Sequence, residues 1–338
     1  MPQSQGAERI SDAEPSPFET IPPGEPAAIA AVVQAIEIQV REGFAKTGHA
    51  IRDAHPKMHG CVFARLEVLA DLPAELRQGL FAQPAVHDAW VRFSNGSGTP
   101  QGDAAGDGRG MAVKVLGVAG SPSGGQDFVM INHPAFFVRN AADYVDFSRA
   151  RNPLAFFFPS LNPFRWRLHE LFTARAITRH LVANPLDAQY YSMAPILFGD
   201  IPCKISARPV GPASAHADRV GPDFLRANLE KALGEGDKVF ELCVQRQADP
   251  AAMPVEDPTV TWPEDRSPFV AVGRLTIPRQ VFATPEQDAF GENLSFTPWH
   301  GLAAHRPLGG INRVRREVYE TISRLRHELN GAPRQEPT

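Results

Sequence analysis

The stretch AWVRFSNGSGTPQGDAAGDGRGMAVKVLGVAGSPSGGQDFVMINH, Ala89 to His133, contains three short runs rich in β-branched, aromatic and other apolar residues. They are AWVRFS from Ala89, GMAVKVLGV from Gly110 and DFVMINH from Asp127. Only clusters of Gly, Ser, Pro and Asp separate them, so loops rather than crossover helices join consecutive strands. Strands joined in this way pair antiparallel. The same signature recurs outward from this stretch in CVFARLEVL from Cys61, IPCKISARP from Ile201, KVFELCVQRQ from Lys238 and FVAVGRLTI from Phe269. Helical spacing appears in Ile29, Val32, Val33, Ile36, Val40 and Phe44, running through about Lys46 and ending near Gly48. It appears again from about Pro163 to Leu181, with Phe, Trp and Leu expected on the buried side, and from about Asn312 to Leu329. The expected fold class is α+β, an antiparallel β-barrel core with surrounding helices, rather than a βαβ series.

With 338 residues and 43% hydrophobic content, the chain can bury a large core. Residues 1–25, dominated by Pro, Glu, Ser and Gln, are expected to form a flexible tail. A single domain is expected over 26–331, with a short polar tail over 332–338. No internal repeat is visible. The net charge of -4 gives no long-range attraction for nucleic acid or anionic lipid, so any basic cluster acts locally. Cys61, Cys203 and Cys243 are widely spaced and outside any CxxC or CxxCH pattern, which argues against disulfides, a zinc ribbon and covalent c-type haem. The polar N-terminus lacks the features of a signal peptide, and no run of about 18 apolar residues occurs, so the expectation is a cytoplasmic protein with no membrane span.

Candidate chemistry concentrates in four places. In the last helical segment Arg315, Tyr319, Ile322 and Arg326 follow i, i+4, i+7, i+11 and share one stripe. A guanidinium one turn before a phenol favours the phenolate, which is an available ligand for a trivalent cation. The plain alternative is a tyrosine packed at a helix interface, with Arg315 paired to a surface carboxylate. In IRDAHPKMHG, Ile51 to Gly60, Arg52 precedes His55 by three residues, setting a fixed charge near an imidazole able to shuttle protons. His49, His55 and His59 make a poor zinc set, because Pro56 breaks a helical face and no cysteine or carboxylate completes it. For His55 alone, a hydrogen-bonded structural histidine is the default.

In VRFSNGSG, Val91 to Gly98, alternation sends Arg92 and Ser94 to one face and Val91 and Phe93 to the other. That polar face either meets partners or lies exposed on an edge strand. GDGRGMAVKV lacks the GK[ST] ending of a phosphate loop, which excludes nucleotide binding by that device. In DFVMINHPAFFVRN, Asn132 interrupts an apolar run before Pro134, and Phe136 and Phe137 supply flat apolar surface. A turn asparagine beside two core phenylalanines is the plain alternative.

Together, and in this chain order, these elements resemble the haem catalase family. Arg52-x-x-His55 resembles the family element that supplies a haem-propionate contact and the distal histidine. VRFS resembles the next element, which implies a propionate contact for Arg92 and a hydrogen bond from Ser94 to the histidine ring. GDGRGMAVK stands where the family has DPRG, and INHPAFF where it has NNTPVFF, which implies that Asn132 is the distal amide and Phe137 a haem contact. VTWPEDRSPFVAVGRL and PEQDAFGENLSFTPW are similar to two further family runs. Arg315-x-x-x-Tyr319 matches the R-x-x-x-Y ligand motif, with Arg326 another propionate partner. Tyrosine ligation of haem is the known mode in catalases, so that assignment comes with the resemblance.

The resemblance spans about residues 45 to 330 and implies haem b (iron protoporphyrin IX), with Tyr319 as the iron ligand. It makes His55, Ser94 and Asn132 catalytic, and Arg52, Arg92, Arg315, Arg326, Phe137 and Tyr144 cofactor-binding. The chain departs from the family pattern at Asp53 and Ala54, where an apolar pair is expected. It departs again at His133 for threonine, Tyr144 for phenylalanine and Glu320 for proline. It is also shorter than typical catalases. These features favour a small catalase-related peroxidase acting on hydrogen peroxide or organic hydroperoxides with a small organic electron donor. Ordinary catalase activity is the alternative, beside a fatty-acid hydroperoxide-converting enzyme and a non-catalytic haem carrier or sensor. The resemblance also implies a homo-oligomer.

Overall fold

The computed structural model describes residues 16–150, 152–334 and 336–337. Four strands, β1 (Met58–Val68), β2 (Val86–Asn95), β3 (Arg109–Leu116) and β4 (Gly125–Ile131), form a continuous antiparallel meander. Five more follow: β5 (Tyr190–Tyr191), β6 (Ile196–Phe198), β7 (Ile201–Val210), β8 (Lys238–Arg246) and β9 (Val270–Ile277). The sheet order is β5-β4-β3-β2-β1-β9-β8-β7-β6, and β5 also pairs with β7. That extra pairing closes eight strands into an antiparallel barrel and leaves β6 outside the ring on β7. Closure removes the two exposed sheet edges that an open sheet of this length would carry.

Alternation along the strands decides which residues fill the barrel. Val91 and Phe93 of β2, Met111 and Val113 of β3, Phe128 and Met130 of β4 and Phe240 of β8 are all buried in one cluster. The opposite pleat of β2 carries Arg92 and Ser94. The barrel interior is therefore filled by apolar side chains, while Arg92 and Ser94 face outward.

Seven helices are described: α1 (Glu25–Thr47), α2 (Ala141–Arg149), α3 (Pro153–Phe157), α4 (Leu168–Arg179), α5 (Phe224–Glu235), α6 (Pro285–Asn293) and α7 (Gly310–Asn330). Val32, Ile36 and Val40 of α1 pack on Val314, Val318, Ile322 and Leu325 of α7. Gly48 stops α1 in the left-handed conformation, φ 71°, donating its N–H to the Phe44 carbonyl at 2.7 Å. The Asn330 side chain accepts from the Ala50 N–H at 2.8 Å and donates to the Ala50 carbonyl at 2.9 Å. These bonds tie the end of α7 to the segment that follows α1.

Three expectations need correction. The helix expected over 163–181 is a short turn at Pro163–Arg165 followed by α4. Its inward stripe is Glu170, Thr173 and Ile177, because Glu170 is drawn in to meet Arg139 at 2.7 Å. The Phe, Trp and Leu expected on the buried side are instead among the exposed residues: Phe164, Trp166, Leu168 and Phe172. The proposed N-terminal tail also splits. Residues 1–15 lie outside the described residues, whereas residues 16–24 are docked, with the Glu19 carboxylate fully buried against Arg306 and Arg313. An ion pair of this kind leaves no apolar period to read. The C-terminal polar stretch likewise returns to the body, with Glu336 3.2 Å from Lys114.

Two buried histidines make stability depend on pH. His59 bonds Asn95 Oδ1 at 2.9 Å, and His305 Nε2 accepts from the Leu80 N–H at 2.9 Å. Burial pushes each imidazole down to about 4. The unfolded chain then binds more protons than the folded one between about pH 6.5 and 4. Stability from these groups is complete above that window and lost as pH falls through it, on the order of 3 kcal/mol for each. Urea midpoints at pH 7.5 and about pH 5 check this, and His305→Gln is expected to flatten the difference.

Candidate functional site

The site is a cavity with about 710 Å³ of unfilled space between the outer face of the barrel and helix α7. Cross-strand register builds its barrel wall: Arg92 stands opposite Ala112, which stands opposite Val129, and Ser94 stands opposite Gly110. All five residues line the cavity. The helix wall is Tyr319, Ile322, Ser323 and Arg326, positions that i, i+3, i+4, i+7 spacing places on one face. Residues 52–55 and the pair Ser295 and Phe296 complete the lining.

On the barrel side His55 adopts φ 60°, a left-handed conformation that costs a non-glycine residue energy and persists only where neighbours enforce it. Those neighbours are identifiable. Its N–H reaches the Gly96 carbonyl at 3.4 Å, its carbonyl accepts from Arg92 at 3.0 Å, and its Nδ1 lies 3.0 Å from Ser94 Oγ. Gly110 supplies the floor, since a β-carbon there would come within 2.5 Å of His55 Nδ1 and 2.7 Å of Ser94 Oγ. Burial, reinforced by the Arg92 charge, holds the His55 imidazole down to about 3, so it is neutral across the physiological range. Gly110→Ala is expected to push the ring off the strand and destabilise the protein by about 1–3 kcal/mol, measurable as a shift in urea midpoint at unchanged slope.

On the helix side Arg315 Nη2 donates to the Tyr319 hydroxyl at 3.4 Å, and its guanidinium carbon lies 5.4 Å from the ring centroid. Arg315 is itself fixed by Asn312 Oδ1 at 3.1 Å and lines a smaller neighbouring cavity of about 330 Å³ with Asp127. The Tyr319–Arg315 pair therefore sits with the arginine behind the phenol.

Three further arginines converge on the same space. Arg52 donates to the carbonyls of Glu292 and Leu294 at 2.9 and 2.8 Å, and Arg326 binds the Glu292 carboxylate at 2.7 Å. Burial lowers Arg92 to about 9 and Arg326 to about 10, with the Arg52 charge adding to both, yet each stays protonated near neutral pH. The Nε atoms of Arg52 and Arg92 are buried without a hydrogen-bond partner. Glu292 is the carboxylate ion-paired to Arg52 and Arg326, so the cluster carries excess positive charge suited to anionic groups. Asp53 also lines the cavity, and burial raises its carboxyl against the opposing pull of local backbone N–H groups, Arg52 and Arg326.

The cavity thus brings together Arg52, His55, Arg92, Ser94, Tyr319 and Arg326. Four other candidates lie outside its lining: Arg315, which stands behind Tyr319, and Asn132, Phe137 and Tyr144. Asn132 is buried just beyond β4, its Oδ1 accepting from the Arg109 N–H at 2.7 Å. Phe137 packs edge-on to Phe147 at 4.9 Å, and Tyr144 meets Phe136 at 6.2 Å in the same aromatic cluster. Burial, then the Asp53 charge, raises the Tyr144 phenol above its usual range. His133, which stands where threonine is expected, is buried with Nδ1 2.9 Å from the Ala135 carbonyl. The three histidines of the discarded zinc set are dispersed: His49 is exposed, His55 faces the cavity and His59 is buried in β1. Gly110 and Glu292 are site residues that no spacing rule singled out. Gly110 lay within a quoted motif, and only its register opposite Ser94 explains it.

The cavity thus lies between an eight-stranded antiparallel barrel and a tyrosine-bearing helix laid across its outer face. Residues 34–157 match the Catalase family model. Among solved structures, the chain superposes on a fungal catalase with a TM-score of 0.62 at 20% identity, covering 85% of this chain and 61% of that one. A bacterial catalase gives 0.60 at 20% identity, with 89% and 63% covered. Catalase A from Saccharomyces cerevisiae gives 0.63 at 19% identity, with 89% and 68% covered. Residues 34–157 are therefore similar to the Catalase family, and the chain shares the fold of these catalases. It spans less than two thirds of the length of the fungal and bacterial catalases it matches. No curated protein matches the sequence.

Proposed function

We propose that this chain is a haem b-dependent peroxidase of the catalase-related type, cleaving hydrogen peroxide or organic hydroperoxides. One observation carries the reading: a neutral imidazole held by Ser94 and an arginine-backed phenol face the same arginine-rimmed cavity. The residues present fit the cofactor. The buried unpartnered Nε atoms of Arg52 and Arg92, with Arg326, suit the two haem carboxylates. Ala112, Val129, Phe296 and Ile322 would supply apolar surface for the ring, and Tyr319 Oη, which accepts from Arg315, would be the ligand for iron. Haem b, when bound, supplies the redox-active iron at which a peroxide O–O bond breaks.

The chain's own residues then handle the proton. With Nδ1 donating to Ser94 Oγ, Nε2 of His55 is free to take the proton from one hydroperoxide oxygen and return it to the other, which leaves as water or alcohol. Because the imidazole stays neutral down to about 3, the base is ready at any pH the fold tolerates. For Asn132, which lies outside the cavity lining with Oδ1 bound to the Arg109 N–H, the distal-amide role is proposed on the resemblance alone. Asp53 puts a carboxyl where an apolar residue would narrow the approach to His55, which favours a small polar organic donor as the source of electrons. Dismutation to oxygen is the second reading, favoured by the intact His55–Ser94 pair. The three cysteines are free and buried, which suits a reducing cytoplasm.

The test is to titrate the purified chain with hemin, then add hydrogen peroxide or cumene hydroperoxide and follow oxygen release against oxidation of a dye donor. The expected result is stoichiometric hemin uptake and dye oxidation that outpaces oxygen release. Dominant oxygen evolution moves the assignment to dismutation. Failure to take up hemin overturns both.

A further inference from the structure

Away from the cavity, the segment from α3 through α4 presents an apolar surface to solvent. Leu161 and Phe164 are 99% and 98% exposed, at the tip of the loop joining the two helices. The loop is rigidly built. Trp166 Nε1 donates to the Ser160 carbonyl at 2.9 Å, Asn162 Oδ1 accepts from the Phe164 N–H at 3.1 Å, and Arg167 Nη1 donates to the Phe156 carbonyl at 2.9 Å. Phe158 closes edge-on to Trp166 at 5.3 Å. Two large apolar side chains are thus held outward by specific bonds, an arrangement that costs solvation and is uncommon on a surface that stays in water.

The outer stripe of α4 continues this face. Leu168, Phe172, Arg175 and Arg179 follow i, i+4, i+7, i+11 and are all exposed. Among the described residues, Arg165, Arg175 and Arg179 have no ion-pair partner. The acid within α4, Glu170, is buried and bound to Arg139. Arg167 differs, being neutralised by Asp143 and Asp146. A chain of net charge -4 therefore concentrates unpaired arginines beside its most exposed apolar side chains.

We propose that this face docks on an anionic lipid bilayer. Leu161 and Phe164 enter the boundary between headgroups and acyl chains, and Arg165, Arg175 and Arg179 meet headgroup phosphates. Attachment is peripheral, since no helix among the described residues is long and apolar enough to cross a membrane. A second copy of the chain is a poorer occupant: a two-fold interface would set the same unpaired arginines against one another. The inference rests on the surface alone and is independent of the haem reading.

The test is co-sedimentation of the full, hemin-loaded chain with vesicles of phosphatidylglycerol and phosphatidylcholine in about equal parts, and with phosphatidylcholine alone. The chain is expected to pellet with the anionic vesicles and to be released by high salt. Leu161→Ser combined with Phe164→Ser is expected to lower the partition coefficient roughly 100-fold, since each side chain supplies about a tenfold share or more. Arg165→Glu combined with Arg175→Glu is expected to lower it at least about tenfold while leaving hemin uptake unchanged. Absence of sedimentation with anionic vesicles, or an unchanged partition in the apolar pair, overturns the proposal. So does sedimentation velocity showing that the apolar pair turns an oligomer into monomers, because a second copy then covers the face.

Discussion

Arg313→Ala is expected to lower the unfolding free energy by about 3–5 kcal/mol, the largest stability loss of any single exchange considered for this molecule. Arg313 lies near the start of α7 and grips Glu25 with two bonds, Nε to Oε1 at 2.5 Å and Nη2 to Oε2 at 3.0 Å. It also reaches Glu19 at 2.6 Å and Glu256 at 3.0 Å. Burial opposes its charge, but the bonds to Glu25 and Glu256 outweigh that and hold the guanidinium above its ordinary range. Alanine would strand three carboxylates, two of them almost wholly buried, with Arg306 still paired to Glu19. Arg313→Lys is expected to recover only part of the loss, because an ammonium cannot make the paired bonds to Glu25. Urea denaturation measures it, and a shift below about 1 kcal/mol would show that the cluster is replaceable.

His55→Ala is expected to leave hemin uptake intact and to cut hydroperoxide cleavage by about 10²- to 10⁴-fold. The substitution removes the proton carrier without touching Tyr319 or the arginines. Stability should change little, because alanine inherits the same left-handed backbone at φ 60°. His55→Gly is informative for that reason: it relieves the strain while also removing the base. Cumene hydroperoxide consumption by hemin-loaded protein is the readout. A rate preserved in both variants would assign proton transfer to another group, and Asp53 supplies a carboxyl on the cavity wall.

The sequence carried the long barrel strands because their alternation sets Val91 and Phe93 on one face and Arg92 and Ser94 on the other; which face fills the barrel is decided only by closure of the ring. It did not carry β5, whose two residues have no period, although Tyr190 and Tyr191 close the ring. Arg315 and Tyr319 could be read from helical spacing, since that pairing is local. The backbone of His55, the clearance at Gly110 and the bridge at Glu292 could not, because each depends on segments remote in the chain. The outward face of α4 was misread for a related reason: local spacing shows that a stripe exists, and only the Arg139–Glu170 pair decides which stripe turns in. Residues 16–24 were read as a tail because a buried carboxylate such as Glu19 leaves no apolar signature.

The cavity draws its walls from residues 52–55 at one end of the sequence and residues 319–326 at the other, and Asn330 closes the circuit on Ala50. While the chain is still being made on a ribosome, the barrel can begin to pair, but the pocket has no far side until the last turns of α7 have emerged. Loading of any ligand into this space therefore waits for α7, and a nascent chain paused before Gly310 would hold a near-complete barrel with nothing to grip.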